Sequence, residues 1–384
     1  MSGADAPTPD AGSPDAGSPD AGSPDARAPA VRAAGDATPA RRPGRRRSPS
    51  IPLVALWVVA AVGALHFARP VRPLLAPPHA VEAVTAGETP RTPLAHVAVG
   101  AFERSGGVRM RFTLPGADVR LPLSLSGDTA ALRYVWLPVD EDPAGATLPR
   151  PLGARLVAPE APGFYRLALE RDGRRQLVDD VTLSVLVPFG EKRGATLHGY
   201  RLGTYVGERL GRVARATLPM GFFPVAEEAL ALPVSEHLRL GDVLTTPDTP
   251  TRGLPQYATL DTRLLEKLEL VMAEVAKHAG RTGVSPRITV NSGFRPPSYN
   301  RTVKGAARDS RHQYGDAADV KIDVNRDGRF TMDEVRLVAR AVETVEREHP
   351  DLAGGMGVYA GKRLRSPYVH IDARGRRARW NGPG

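Results

Sequence analysis

Three residues in the C-terminal half of the sequence, His312, Asp319 and His370, have side chains that could together hold a catalytic zinc ion. A catalytic zinc takes three protein ligands and leaves its fourth position to water. The sequence contains no cysteine, so thiolate ligands are excluded. The three residues therefore predict a metal centre that can activate water for hydrolysis, and the alternative is a buried polar network without a metal.

Two predicted strands would bring these residues together. In the segment AADVKI, Asp319 lies on the face opposite its apolar neighbours, and in YVHIDA both His370 and Asp372 do so. His312 precedes the first strand, and Gly315 allows a tight turn between them. We expect the strands to pair with each other and to place His370 beside Asp319.

Several segments of this region resemble one known family. SRHQYGDAAD, at 310–319, fits the Ser-x-His-x-x-Gly-x-Ala-x-Asp signature of the zinc D-Ala-D-Ala peptidase family, and VNSGFRPPSYN resembles the segment that precedes it there. SPYVHIDARG, followed by RW, resembles the closing strand of the murein-endopeptidase branch, and LHGYRLGTY and LPVSEHLRLGDVL resemble its upstream segments. The resemblance covers roughly residues 195–381 and nothing before them.

The resemblance implies a zinc hydrolase that cuts peptides of the bacterial cell wall, by a carboxypeptidase or an endopeptidase reaction of D,D or L,D specificity. In it, His312, Asp319 and His370 match the zinc ligands. Arg295 matches the arginine that holds a substrate carboxylate, a role that suits the two parallel hydrogen bonds of a guanidinium. The alternative for Arg295 is a structural role, in which it pins the loop at Pro296.

The general base is the point at which this chain departs from the family pattern. Better-known members carry an acidic residue three positions before the final histidine, and this chain has Pro367 there. Asp372 is the candidate catalytic base, because it shares a strand face with His370. Two alternatives stay open: Asp372 orients the His370 ring, or the protein is a peptidoglycan-binding protein that keeps zinc but hydrolyses weakly or not at all.

A second ligand-rich segment, DVNRDGRFTMDE at 323–334, fits the twelve-residue calcium loop. Its ligand positions are occupied by Asp323, Asn325, Asp327, Arg329, Thr331 and Glu334. A strand leads into this single loop, so we expect a structural calcium that stiffens the strand carrying Asp319, not a paired sensor. The alternative is an Asx-rich turn without an ion.

The N-terminal part of the sequence contains a candidate membrane anchor. Residues 1–50 are a repeat of Pro, Gly, Ser and Asp followed by a cationic patch, which predicts a disordered cytoplasmic tail. Residues 51–68 are apolar except for one histidine and just long enough to cross a hydrocarbon core of about 30 Å. The positive charge before this run predicts a single-pass protein of the inner (cytoplasmic) membrane whose later domains lie in the periplasm or otherwise outside the cytoplasm. A cleaved signal peptide and a buried helix are the alternatives.

The remaining residues predict a linker and two domains, and the chain as a whole has a net charge of +10. Residues 69–95 are a Pro- and Ala-rich linker, and alternating residues in 96–189 predict a small all-β antiparallel sandwich of the immunoglobulin type. The sandwich would act as a spacer or bind a protein partner, and a third hypothesis makes it the main functional part. Residues 190–384 predict an α+β fold with an antiparallel sheet. No nucleic-acid-binding motif accompanies the basic charge, which suits an anionic wall polymer.

Overall fold

The computed structural model describes most of the chain from residue 92 onward. The described ranges are 92–140, 145–209, 218–279, 284–360 and 366–382. The predicted cytoplasmic tail and membrane anchor lie outside these ranges. No helix within them is both long and apolar enough to cross a membrane.

The β-rich half of the described chain, residues 92–188, consists of strands of two to twelve residues; β1 and β4 alternate exposed and half-buried side chains, whereas β5, β8 and β9 contain runs of buried ones. Its strands are β1 His96–Val99, β2 Met110–Thr113, β3 Asp118–Val119, β4 Leu123–Ser126, β5 Arg133–Pro138, β6 Arg150–Pro151, β7 Leu156–Val157, β8 Gly163–Arg171, β9 Arg174–Val185 and β10 Val187–Pro188. The main sheet has the order β2-β9-β8-β5-β6, and β1–β4 and β3–β7 form two-stranded ladders. The strand pairs are antiparallel as predicted, except that β2 runs parallel to β9. Alternation specifies the faces of a strand but not the direction of its partner, so the sequence could not show this exception.

The C-terminal half is an α+β arrangement, as the sequence predicts. Its helices are α1 Val206–Arg209, α2 Leu240–Leu244, α3 Thr249–Arg252, α4 Thr262–Ala279, α5 Pro297–Asn300 and α6 Met332–Glu348. Its strands are β11 Gly221–Pro224, β12 Tyr257–Ala258, β13 Arg287–Ser292, β14 Ala317–Asp323, β15 Gly355–Tyr359, β16 Tyr368–Asp372 and β17 Ala378–Asn381. The central sheet has the order β13-β14-β16-β15-β17 and is antiparallel except for the β15–β17 pair.

Helices α4 and α6 cover one face of the central sheet, and both contact β14. In α4 the residues at helical spacing, including Leu265, Leu268 and Val271, are fully buried. Burial of each such side chain contributes about 1.5–3 kcal/mol. Helix α6 begins with a capping box in which Thr331 and Glu334 satisfy each other's backbone N–H groups. The two helices therefore cover the apolar face of the sheet, and the polar residues of β14 and β16 lie on the opposite face.

The β-rich half and the C-terminal half share one hydrophobic cluster. Phe112 of β2, for example, stacks on Phe223 of β11 at 6.0 Å between ring centroids. Polar contacts join the halves as well, because the buried Glu266 of α4 accepts hydrogen bonds from the backbone N–H and hydroxyl of Ser105 at 3.0 and 2.7 Å. Helix α4 of the C-terminal half is therefore bound to the β-rich half through Glu266. The predicted domain boundary near residue 189 stays a prediction.

On its other side, α4 holds the strand that carries His370. Lys267 of α4 is completely buried, and its ammonium group donates to Glu346 of α6 at 2.6 Å and to the backbone carbonyl of Asp372 at 2.7 Å. Burial lowers the pKa of Lys267, although its contact with Glu346 opposes the shift. This buried cation fixes the end of β16 against both helices.

Candidate metal centre

The central sheet places two of the predicted ligands directly opposite each other. Strands β14 and β16 pair antiparallel with Asp319 in register with His370. His312 lies on the short 3-10 helix Arg311–Tyr314, which ends at Gly315 in the left-handed conformation at φ 71°. A side chain on Gly315 would also collide with the carbonyl of Thr259, so only glycine fits this turn.

The three side chains converge on one point inside the protein. One ligand atom from each of His312, Asp319 and His370 lies within 4.8 Å of the other two. His312 Nε2 is 3.2 Å from His370 Nδ1 and 3.3 Å from Asp319 Oδ1. His370 Nδ1 is 2.9 Å from the same Asp319 oxygen. All three residues are buried. Among the described residues, no other group of three or more His, Cys, Asp or Glu residues has this geometry.

The hydrogen bonds behind the two imidazoles fix which nitrogen faces the shared point. His312 Nδ1 lies 2.8 Å from the backbone carbonyl of Gly293 and donates to it, so its Nε2 lone pair faces inward. His370 Nε2 lies 3.1 Å from Asp372 Oδ2, so its Nδ1 lone pair faces inward. A side chain on Gly293 would collide with the backbone of Val243, so only glycine fits at the position whose carbonyl binds His312. Two nitrogen lone pairs and one carboxylate oxygen are a donor set that suits zinc.

Burial and neighbouring charge keep these groups in the forms that a metal requires, with one exception. Burial lowers the pKa of His312 and favours the neutral imidazole. Burial alone would raise the pKa of Asp319, but His312 and His370 reverse this effect and hold the pKa well below its usual range. Burial alone would lower the pKa of His370, but the bonds to Asp319 and Asp372 raise it. A metal must therefore displace a proton from His370 on binding.

Arg295 lies against the ligand carboxylate. Its Nη2 donates to Asp319 Oδ2 at 2.9 Å, its Nε donates to the Ser292 hydroxyl at 2.8 Å, and its side chain is 12% exposed. Its backbone N–H also donates to the carbonyl of His312 at 3.0 Å. The guanidinium thus lies within reach of a substrate at the metal centre, and its carboxylate-binding role stays a prediction.

Asp372 lies behind His370 and is completely buried. Its Oδ1 accepts from the backbone N–H groups of Gly355 and Arg374 at 2.7 and 3.1 Å, and the Arg374 guanidinium binds both carboxylate oxygens. Burial alone would raise the pKa of Asp372, but His370 and Arg374 hold it well below its usual range. Of the two roles open to this residue, the geometry favours orienting the imidazole over accepting a proton from water.

The comparison with known families agrees with this site. Residues 245–348 match the peptidase M15 family model. This M15 segment covers roughly a quarter of the chain, includes His312 and Asp319, and ends before His370. It confirms the resemblance to the zinc D-Ala-D-Ala peptidases for this part of the sequence. No curated protein matches the chain.

An open cavity of about 850 Å³ adjoins the metal centre, and residues of the M15 segment and of the last strands line it. On one side three aromatic residues form a wall: Tyr359 and Tyr368 stack at 4.6 Å, and Trp380 donates from Nε1 to the Tyr359 hydroxyl at 3.0 Å. The Trp380 ring also lies 5.1 Å from the His370 ring. The sequence analysis assigned no role to these residues, although Tyr368 is two positions before His370 and therefore shares its strand face.

The predicted calcium loop of the M15 segment connects β14 directly to α6, so a strand leads into it as expected. Most of its side-chain oxygens accept backbone N–H groups of the loop: Asp323 accepts from Gly328, Asn325 from Asp327, and Asp327 from Arg329.

Glu334, at the last position of the loop, accepts from the backbone N–H groups of Val324 and Thr331. Asp323 Oδ1 is buried and has no hydrogen-bond partner among the described residues. In the described structure, no three acidic side chains of the loop bring ligand oxygens within 4.8 Å of one another, as the side chains of the metal centre do. Calcium binding stays a prediction.

Proposed function

We propose that this protein is a membrane-anchored zinc metallopeptidase that hydrolyses amide bonds in peptidoglycan stem peptides or cross-links. The observation that carries the proposal is the convergence of His312 Nε2, Asp319 Oδ1 and His370 Nδ1 on one buried point, where hydrogen bonds to Gly293 and Asp372 orient the two imidazole rings. The M15 family match supports the peptidase activity. Anchoring through residues 51–68, a periplasmic location and a protein partner for the β-rich half belong to the proposal as sequence-based expectations.

Different residues of the chain would have different roles in the reaction. A zinc ion held by His312, Asp319 and His370 would polarise the amide carbonyl and lower the pKa of its bound water. Arg295, beside this point, would bind a substrate carboxylate and so align the peptide. Asp372 would hold the His370 ring in the tautomer whose Nδ1 can bind metal. The aromatic wall formed by Tyr359, Tyr368 and Trp380 would limit the access of solvent to one side of the site.

The test is digestion of purified muropeptides by the full chain, with and without added zinc. His312→Ala should abolish both zinc binding and product formation. His278→Ala is the matched control, because His278 is an exposed histidine at the end of α4 and, among the described residues, its ring hydrogen-bonds to the backbone carbonyl of Glu274 alone. If zinc-loaded wild-type protein releases no product from any muropeptide, the peptidase proposal is wrong.

A zinc-containing peptidoglycan-binding protein is the second candidate function. Two observations favour it: Pro367 occupies the position of the family's acidic residue, and the completely buried Asp372 is already bonded to Gly355, Arg374 and His370. This alternative predicts stoichiometric zinc and tight binding to purified cell walls, without turnover.

We also propose that a calcium ion occupies the loop at 323–334 and stiffens the end of β14. The proposal is supported by the match of all six ligand positions to the calcium-loop pattern and by the unpartnered oxygen of Asp323. Asp323 ends the strand on which Asp319 lies, so an ion there would fix the orientation of that strand at the metal centre.

A further inference from the structure

Two cavities meet at a pair of arginines beside the metal centre. Arg311 and Arg374 line both the cavity of about 850 Å³ at the metal centre and a neighbouring cavity of about 430 Å³. Arg263 lines the second cavity, together with apolar residues of the β-rich half such as Phe112 and Leu186. An extended molecule could therefore reach from one cavity into the other along these side chains.

Two buried carboxylates hold the shared arginines: Asp316, directly before β14, and Asp372, at the end of the neighbouring strand β16. Arg311 donates from Nε to Asp316 at 2.9 and 3.0 Å, and Arg374 donates in the same way to Asp372 at 2.9 and 3.0 Å. Both aspartates are completely buried. The backbone N–H of Ala373 donates to the carbonyl of Asp316 at 3.0 Å, so the two ion pairs lie side by side.

Aromatic rings lie over two of the guanidinium groups in the second cavity, with Arg311 Cζ 4.3 Å from the Tyr314 ring and Arg374 Cζ 5.6 Å from the Trp380 ring, but the Nη1 side of each group has no hydrogen bond to a described residue. Arg263, Arg311 and Arg374 all bind an aspartate through Nε and Nη2, and none donates from Nη1 to any residue that the structure describes. Their side chains are 50%, 16% and 21% exposed. A guanidinium has five N–H donors in a fixed plane, so each free side still offers charge-assisted hydrogen bonds.

A purely structural role does not account for all three arginines. The pairs at Arg311 and Arg374 could serve only to join the ends of β14 and β16. Arg263, however, pairs with the partly exposed Asp261 at the start of α4 and faces the same cavity in the same manner. Among the described residues, Asp261 is the only carboxylate that lines the second cavity, because Asp316 and Asp372 are completely buried, so guanidinium donors outnumber carboxylate acceptors at its surface.

We propose that this second cavity, the arginine cavity, binds a carboxylate of the peptide substrate while a neighbouring amide lies at the metal centre. The proposal rests on the proposed function for the identity of the substrate, a stem peptide that carries several carboxylates. It differs from the role of Arg295, which touches the ligand Asp319 directly. The arginine cavity would select peptides by a charge located away from the bond that is cut.

The experiment compares stem peptides in which each carboxylate in turn is replaced by a carboxamide. For the full zinc-loaded chain, Arg263→Gln should raise the KM of the parent peptide about five- to tenfold without changing kcat, since one partly exposed charged hydrogen bond is lost. For one amidated peptide, the one that lacks the carboxylate bound by the arginine cavity, the wild-type protein and Arg263→Gln should have the same KM. Arg311→Lys, which keeps the charge but loses the planar fork, should show the same selective effect.

Arg155→Gln is the matched control, because Arg155 forms a similarly exposed pair with Asp118 and neither residue lines either cavity. It should leave every KM unchanged. If Arg263→Gln changes the KM of parent and amidated peptides by the same factor, the arginine cavity does not bind a carboxylate. If no peptide is hydrolysed, the peptidase proposal fails separately, and calorimetric Kd values for the same peptides replace KM. Tighter binding of the parent peptide than of an amidated one, lost in Arg263→Gln, would support carboxylate binding by the arginine cavity. Equal Kd values for parent and amidated peptides would refute it.

Discussion

Replacement of Asp372 by asparagine separates the two roles that this residue could have. Asparagine has nearly the same shape and keeps one carbonyl oxygen, but it removes the charge that holds the His370 imidazole. If Asp372 orients that ring, the loss should appear as weaker zinc binding, by about 10- to 100-fold. This corresponds to about 1.4–2.7 kcal/mol. If Asp372 is the general base, kcat should instead fall by about 10²- to 10⁴-fold with zinc affinity preserved.

The structure favours the first outcome. Asp372 does not line the metal-centre cavity, and its oxygens are already occupied by Gly355, Arg374 and His370. No free lone pair of this carboxylate therefore lies where a substrate or water could reach it. We expect that Asp372→Asn, once saturated with zinc, recovers most of the wild-type kcat.

The assay is competition for zinc with a chelator of known affinity, followed by kinetics at saturating zinc. Asp316→Asn is the matched control, because Asp316 is also completely buried and also bound by an arginine, Arg311, but touches no zinc ligand. Its zinc affinity should stay within a fewfold of wild type even if the protein is less stable. An unchanged zinc affinity in Asp372→Asn, combined with a kcat that stays depressed at saturating zinc, would refute the orienting role.

Three further predictions concern stability. Calcium should raise the Tm of the wild-type chain in a zinc-containing buffer and should leave the Tm of Glu334→Gln unchanged; an equal shift in both would argue against the loop as the site. Lys267→Met should lower the free energy of unfolding in urea by about 3 kcal/mol, because it leaves the buried Glu346 without one of its cations. The hydrogen bond to Glu269 raises the pKa of His237, so its stabilisation is present below pH 6.5 and is lost as the pH rises through the raised pKa. His237→Gln should therefore lower Tm more at pH 6 than at pH 9, and an equal loss at both pH values would contradict this assignment.

The local elements of the C-terminal half could be predicted from the sequence because each depends on a short-range pattern. Helix α4 follows the spacing of its buried leucines and begins directly after Asp261, and α6 follows its capping box. The faces of β14 and β16 follow from alternation, and this was enough to expect Asp319 beside His370. Each of these inferences needs only the period of an element and the requirement to bury its apolar side.

The surroundings of the site could not be predicted, because they depend on partners that are distant in the sequence. Nothing near Asp372 in the sequence shows that Gly355 and a lysine of α4 bind it from two other elements. The position of Trp380 beside His370 likewise requires β17 to join the sheet parallel to β15. Periodicity states which side of an element is buried, and it does not state what lies there.

The contact of Ser105 with Glu266 has a consequence for attempts to isolate the C-terminal half. The next residue of that helix, Lys267, holds the backbone of the strand that bears His370, so the two halves of the chain meet one residue away from a support of the metal centre. Removal of the strands that precede residue 189 would uncover the Glu266 carboxylate and the apolar surface around it. We therefore expect that the M15 segment does not fold stably by itself, and that a truncated or recombined protein keeps its fold only when it includes the strands before this segment.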